Sequence, residues 1–224
     1  MRAPSLDTVR LVASSLGVRQ PALYALKRLA YVDHFYHLTA LLSRLRFPPL
    51  RSDLRFHEAT RADLDEIARS GAGLDPASRK DIVTRLLFHR LGFTGCHVGR
   101  TAGGELVAMQ WLVRPRENAL LATHFPRLYY PLRDGEVMVE NVFVYPRFRG
   151  LRVFPAMAHH VLEVARGEGF RVCNAYIRKD NLTSLNGFLG LGFQLQRLLT
   201  GFSLAGISWR NLEERGRRAA TAGP

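Results

Sequence analysis

Between Val137 and Ile177 the chain runs through an apolar stretch, a proline–arginine–glycine break, a helix-period stretch and a second apolar stretch. Val137–Tyr145 carries the strongest strand pattern in the sequence, with Asp134-Gly135 marking a turn before it. The break covers Pro146 to Gly150. Val153, Met157, Val161 and Val164 then recur at helical spacing, with Phe154, Ala158, Leu162 and Ala165 beside them, so one face of the helix is apolar. Gly167 or Gly169 ends it, and Val172–Ile177 reads as a buried strand. A strand–helix–strand unit of this length is a right-handed crossover between parallel strands.

The flanks supply the rest of the sheet. Residues 53–59 alternate as a strand. Thr60 is placed to cap a helix that buries Leu64, Ile67 and Ala68. A second helix covers 79–90 and stops at Gly92. Two strands, one leading from Cys96 and one over Leu106–Val113, flank the glycine turn near Gly103-Gly104. Residues 114–134 show no regular period. Asn181 to Leu189 forms a short helix closed by Gly190 and Gly192, and Phe193–Leu199 with Phe202–Trp209 forms a last hairpin. The expected fold class is α/β: a mixed, largely antiparallel central sheet with flanking helices and one parallel crossover pair. Before it, Pro21 opens a short helix through Leu23, Leu26 and Leu29, and His34–Leu38 reads either as its continuation or as a strand. Prolines at Pro48-Pro49 mark a boundary. Three parts follow: a basic, partly helical N-terminal extension over 1–52, a domain over 53–209, and a basic tail over 210–224 that frays.

The arginines of the break bring composition into the argument. The formal charge is +13, from 32 basic and 19 acidic residues, and only Lys27, Lys80 and Lys179 among the basic ones are not arginine. Arginine grips phosphate through a rigid fork of donors; genomic bias would give the same composition, and both readings stay open. Residues 1–52 alone hold 8 basic and 2 acidic side chains. A positive field draws anions of every kind, whether nucleic acid, acidic lipid or a phosphorylated cofactor. The 2 cysteines, Cys96 and Cys173, exclude a disulfide-rich scaffold and a zinc site with more than two thiolates. The apolar runs fall far short of the roughly 18 residues a membrane span needs. No uninterrupted apolar stretch follows Met1-Arg2, so the expected location is cytoplasmic.

Two segments carry chemistry. Where the strand ends at Tyr145, Pro146-Arg147-Phe148-Arg149-Gly150-Leu151-Arg152 leads into a helix. First-turn N–H groups lack internal partners and, with the helix dipole, form an anion site. Gly150 permits a turn that a Cβ would obstruct, and Arg147, Arg149 and Arg152 bring guanidinium groups to the same mouth; pyrophosphate suits this arrangement. Asn181, after the second parallel strand, caps a helix beside that loop, at the end of the sheet where open α/β folds bind ligands. On the first strand Glu140 stands in otherwise apolar surroundings, where burial raises a carboxyl pKa, which makes it the candidate catalytic base; an ion pair with a neighbouring arginine is the alternative role. Glu136 shares its face by the period-2 rule. His159 and His160 are adjacent on a helix, and His34 and His37 lack a third ligand, so no metal is assigned.

Together the two segments resemble the GNAT superfamily of N-acyltransferases. That family's diphosphate loop follows the pattern Arg/Gln-x-x-Gly-x-Gly/Ala after a strand; Arg149, Arg152 and Phe154 stand at its three positions here. Its later segment, Asn-x-x-Ser/Ala-x-x-x-Tyr/Phe-x-x-x-Gly-Phe, matches Asn181, Ser184, Phe188, Gly192 and Phe193. The resemblance covers about 53–209. It implies acetyl-CoA or another acyl-CoA as cofactor, with its pantetheine arm between the parallel strands against Val142 and Val144. The pyrophosphate would lie at Arg149, Gly150, Leu151, Arg152, Val153 and Phe154, with Asn181, Ser184 and Phe188 contributing from the later segment. Two positions depart from the pattern. Phe154 stands where the family has a small residue, and Phe188 stands where it often has a tyrosine general acid, leaving Tyr176 and Tyr145 as other proton donors. Trp111, Tyr129 and Tyr130 are candidates to line an acceptor pocket. The resemblance implies an enzyme that acylates a primary amine of a small molecule or an amino sugar, and leaves a homodimer open. A non-catalytic acyl-CoA-binding module is the first alternative. A nucleic-acid binder using the basic N-terminal segment is the second, disfavoured because no complete helix-turn-helix pair is present.

Overall fold

Leu106–Val113 is buried along its whole length, which requires a strand covered on both faces. The computed structural model describes residues 30–45, 47, 53–125, 128–204 and 207–213. The strands are β1 (Ala30–Leu41), β2 (Leu54–Glu58), β3 (Cys96–Thr101), β4 (Leu106–Val113), β5 (Glu136–Val144), β6 (Val172–Arg178), β7 (Gln194–Leu204) and β8 (Ile207–Glu213). The helices are α1 (Arg61–Ser70), α2 (Pro76–Arg90), α3 (Asn118–His124), α4 (Val153–Gly167) and α5 (Leu182–Gly190). The strands form one sheet in the order β2-β3-β4-β5-β6-β1-β7-β8. β5 and β6 pair parallel, joined by α4, and the other pairs are antiparallel. The α/β reading and the single parallel crossover are therefore present as expected.

Each face of the sheet has its own core. On one, α4 lays Met157, Val161, Leu162 and Ala165 over Val107, Leu112, Val137, Val139 and Ala175. On the other, Ile67 of α1, Ile82 and Phe88 of α2 and Leu121 of α3 cover Val98, Met109, Trp111 and Met138. α1 starts where its cap predicts: the Asp63 N–H donates to Thr60 Oγ1 at 3.2 Å, and the Thr60 N–H donates back to Asp63 Oδ2 at 2.8 Å. α2 begins earlier than the apolar period indicated, because Asp75 caps Ala77 and Ser78 and Pro76 fits the first helical position.

Several expectations are corrected. The stretch read either way at His34–Leu38 is strand, and β1 lies inside the sheet between β6 and β7, with His37 opposite Tyr176 on one side and Arg197 on the other. The 1–52 segment is thus not wholly an extension. Residues 114–134, read as irregular, contain α3. The last hairpin does not turn near Gly201, which sits within β7 between Asp33 and Arg210; its strands pair from Leu198–Glu213 to Leu204–Ile207. The helix expected from Pro21, the Pro48-Pro49 boundary and the tail beyond Glu213 lie outside the described residues.

β5 is interrupted by a bulge. Trp111 of β4 pairs with Glu140 and Met109 pairs with Phe143, so three steps on β5 face two on β4. Asn141 takes the extra position with φ 55°, a left-handed conformation that asparagine tolerates better than most residues. The alternation changes phase there: Met138 before the bulge and Phe143 and Tyr145 after it enter the core under α1 and α2, while Val137, Val139, Val142 and Val144 face the α4 side. The parallel pairing of β5 with β6 runs from Glu136–Val172 to Val139–Ala175 and stops. From Glu140 onward the two strands part.

Candidate functional site

Where β5 and β6 part, β5 has an open edge. The Tyr145 N–H donates to Val107 of β4 at 3.0 Å, so the peptide groups of Val144 point the other way, into the gap. A cavity of about 570 Å³ lies against this edge, lined by Val142, Phe143 and Val144, by Asp81 and Arg85 of α2, by the loop and first turn of α4, and by Asn181, Thr183 and Ser184. The loop is folded by its own backbone: the Phe148 N–H donates to Tyr145 at 2.8 Å and the Arg149 N–H to Pro146 at 3.2 Å. Gly150 has φ 78° with open space around a would-be Cβ, so its glycine is required by conformation and not by crowding. Arg152 is left-handed as well, at φ 58°, and offers no side-chain cap to α4. The first N–H groups of α4 are thus free of an intrahelical acceptor and open beside the cavity. Pro155 supplies none, which a first helical turn tolerates.

The expected cofactor residues separate into three groups. Val142, Val144, Arg149, Gly150, Arg152, Val153, Phe154, Asn181 and Ser184 line the cavity. Leu151 is exposed, outside that lining, and its N–H donates to Phe148 at 3.4 Å. Phe188 is buried in the core, its ring edge-to-face with Phe154 at 5.1 Å and with Phe193 at 5.0 Å. It cannot line the cavity. Arg149 is anchored by its Nε, which donates to the Val144 carbonyl at 3.1 Å, and it stands 5.7 Å over the Phe143 ring. Arg147, expected at the mouth, instead ion-pairs with Glu105 and stacks on Phe148. Phe154 turns toward α5, where Gly187 makes room for it: a Cβ at 187 would come within 2.6 Å of the Phe154 ring. The Asn181 side chain accepts the Ser184 N–H at 3.1 Å, the expected cap.

Glu140 is placed at the fork of the two strands, half-buried by surface area. Burial pushes its carboxyl up to about 7, although the Asn141 N–H at 3.0 Å, the Tyr129 hydroxyl and the Arg85 charge all favour the carboxylate. Burial also drives the Tyr129 hydroxyl well above its ordinary range, with the Glu140 charge adding to it, so it remains a donor. Of the residues considered for an acceptor pocket, Trp111 is fully buried, with its Nε1 donating to Phe93 at 3.1 Å, and belongs to the core. Tyr129 and Tyr130 stand with Tyr176, whose hydroxyl accepts the Tyr130 N–H at 3.1 Å. Tyr145 is turned to Ser70 of α1 at 2.8 Å. His159 stacks on Phe47, His160 meets His97 at 3.2 Å, and His34 and His37 bond to Thr200 and Asn174. Among the described residues no cluster of three or more His, Cys, Asp or Glu could hold a metal.

Sequence reasoning missed Asn141, Arg85 and Tyr129 as neighbours of Glu140. The consecutive polar pair Glu140-Asn141 inside an apolar strand was a signal for the bulge. Arg85 lies on a helix 55 residues upstream of Glu140 with nothing local to connect the two.

No protein-family model matches the chain, and no curated protein matches it. Solved structures do. The GCN5-related glucosamine N-acetyltransferase region of a fungal multi-domain GH3 β-N-acetylglucosaminidase matches with TM-score 0.55 at 15% identity, over 80% of this chain and 22% of that one. A GNAT-family acetyltransferase structure from Novosphingobium aromaticivorans matches with TM-score 0.51 at 15% identity, over 76% and 63%. A GCN5-related N-acetyltransferase from Sphaerobacter thermophilus matches with TM-score 0.50 at 10% identity, over 89% and 58%. The chain spans less than two thirds of each of those structures. The chain thus shares the fold of these GNAT acetyltransferase structures.

Proposed function

We propose that this chain is a GNAT-type N-acyltransferase that moves an acetyl or short acyl group from acyl-CoA to a primary amine of a small molecule or an amino sugar. The observation that carries the reading is the fork of β5 and β6, with the first-turn N–H groups of α4 open beside the cavity at its mouth and the half-buried Glu140 carboxyl where the pairing ends. Acyl-CoA supplies an activated thioester; the chain supplies the rest. The N–H groups of Arg152, Val153 and Phe154 would hold the diphosphate, helped by the Arg152 side chain and the outer nitrogens of Arg149. The Val144 N–H would bind the pantetheine arm, while the carbonyls of Val142 and Val144 are engaged by Arg85 and Arg149. Phe154 lines the cavity, but its ring is taken up by Gly187 and Phe188, which leaves room for a cradle despite the large side chain.

An amine attacks only when neutral. A carboxyl with its midpoint at about 7 is a far stronger base than an ordinary glutamate and is still substantially ionised at neutral pH. Glu140 would therefore take the ammonium proton, directly or through a water, with the Tyr129 hydroxyl holding the carboxylate oriented. The Val142 N–H, first beyond the bulge on the open edge, would stabilise the developing oxyanion. Phe188 has no hydroxyl, so a proton for the departing thiolate must come from elsewhere; of Tyr176 and Tyr145, Tyr176 is the one beside Tyr129, the partner of Glu140.

Calorimetry with acetyl-CoA and longer acyl-CoAs tests the cradle. Arg149→Ala should weaken binding about tenfold or more, the worth of a charge-assisted contact. No binding by the native chain at millimolar ligand would overturn the reading. Thiol release against a panel of amines tests the chemistry, and binding without release in any pairing would favour the non-catalytic module.

A further inference from the structure

Arg85 is a buried cation that the reading above leaves without a task. Its side chain is only 13% exposed, and it reaches β5 from α2. The Nε donates to the Asn141 carbonyl at 3.0 Å and Nη2 donates to the Val142 carbonyl at 2.6 Å. Successive carbonyls of a regular strand point to opposite edges, so one planar guanidinium cannot bond both. Here it does, because left-handed Asn141 turns its carbonyl toward the same side as that of Val142. The fork therefore fits the bulge and would not fit an unbulged strand. Nη1 closes on the carbonyl and carboxylate of Asp81 at 2.7 and 3.6 Å, and the guanidinium rests 5.1 Å over the Phe143 ring. Burying a cation is costly, and this one is directed at the residue whose N–H donates to Glu140.

We propose that Arg85 is a positioning residue, which locks the Asn141 bulge from α2 and so fixes both the Glu140 carboxylate and the open edge of β5. This rests on the reading of Glu140 as the base. The charged and titratable groups around that carboxyl are Arg85 from α2, Tyr129 from the segment after α3, and, one contact further out, Tyr176 of β6 beside Tyr129, with Asp81 and Arg149 beside Arg85. Of these, Arg85 alone is a cation that acts on the carboxylate both directly and through the bulge.

The test begins on the protein without ligand. The Glu140 carboxyl is titrated by carbon-13 NMR in the native chain, Arg85→Met and Arg85→Lys. Methionine removes a cation that favours the carboxylate, so its midpoint should rise by roughly one pH unit. Lysine keeps the charge but cannot bridge two carbonyls, so its midpoint should rise less than that of Arg85→Met. Thiol release with acetyl-CoA and an accepted amine should nevertheless fall by about tenfold or more in Arg85→Lys, as expected when a reacting group loses its alignment. An unmoved midpoint in Arg85→Met, or full turnover in Arg85→Lys, overturns the proposal. Should Arg85→Met fail to fold, Arg85→Lys decides the matter by its turnover and midpoint together. Glu140→Gln is measured alongside: if it retains turnover, the base reading fails on its own, whatever the Arg85 titrations give.

Discussion

Gly187→Ala puts the account of Phe154 at risk through the sign of one number. Alanine is the better helix former, and in an unobstructed interior position of α5 the change would stabilise by up to about 1 kcal/mol. Here the new Cβ meets the Phe154 ring at 2.6, 3.1 and 3.3 Å. Ordinary contact needs roughly 3.5 Å or more, so the ring must retreat by nearly ~1 Å. It cannot retreat into Phe188, which is 3% exposed and is itself held edge-to-face by Phe193. Overpacking of this kind costs about 1–3 kcal/mol. Set against a propensity gain of about 1 kcal/mol, the net is a loss of up to about 2 kcal/mol, or a fall of up to about 8 °C in melting temperature for a chain of this size. The ring's remaining path is toward the cavity it lines, so acyl-CoA affinity should fall with stability. In Phe154→Ala the same glycine substitution should recover its sign and stabilise, giving a coupling energy of at least ~1 kcal/mol. Urea and thermal unfolding of the four-member cycle measure all of this. A Gly187→Ala chain at least as stable as the native one would show that Phe154 is not wedged against α5, and that its side chain is free to fill the loop.

Two carboxyls make opposite predictions with pH. Glu140 has its folded midpoint raised from 4.5 to about 7, so its ionisation opposes folding: nothing below about pH 4, growing through that window, and complete above it. Glu140→Gln should therefore be more stable than native by on the order of 2 kcal/mol at pH 8 and no more stable at pH 4, while losing turnover; equal stability at both pH values would sink the buried-carboxyl assignment. For Asp63, burial alone would raise the midpoint, but hydrogen bonds from Thr60, Arg100 and His57 outweigh it and hold it well below the usual carboxylate range. Its stabilisation is present above about pH 4 and is lost as pH falls through the folded midpoint, so the deficit of Asp63→Asn at pH 6 should shrink in acid, and a constant deficit in urea titrations would refute it.

What the sequence made legible were features written locally. The crossover 137–177 has its periods, its breaker and its second apolar run in one contiguous stretch, and the caps at Thr60 and Asn181 are single residues acting on neighbours three positions away. The fork at Glu140 was half legible: the carboxyl stood out and the consecutive polar pair Glu140-Asn141 marked a break, but the residues on either side are apolar throughout, so the change of phase could not be read from them. Its cause is a φ angle fixed by an arginine from another helix. Phe154 looked like a defect for a similar reason. Its tolerance depends on a missing side chain at Gly187, 33 residues on, and no window around the loop contains both.

β1 was the largest omission. His34, Tyr36 and His37 sit among apolar residues in a pattern that fits a strand or a helix, and its partners lie more than 130 residues downstream. That placement changes what 1–52 is for. β6 forms one arm of the fork and is free of β5 beyond Ala175, so its hold on the sheet there comes from β1, which pairs with it through Arg178. The same strand stacks His37 on Tyr176 at 4.6 Å, directly behind the tyrosines on the Glu140 side. A fork needs one arm to leave its neighbour without leaving the sheet, and the antiparallel pairing with β1 is what allows β6 to do so. The segment read as a basic appendage thus contains the strand that keeps the gap between β5 and β6 open.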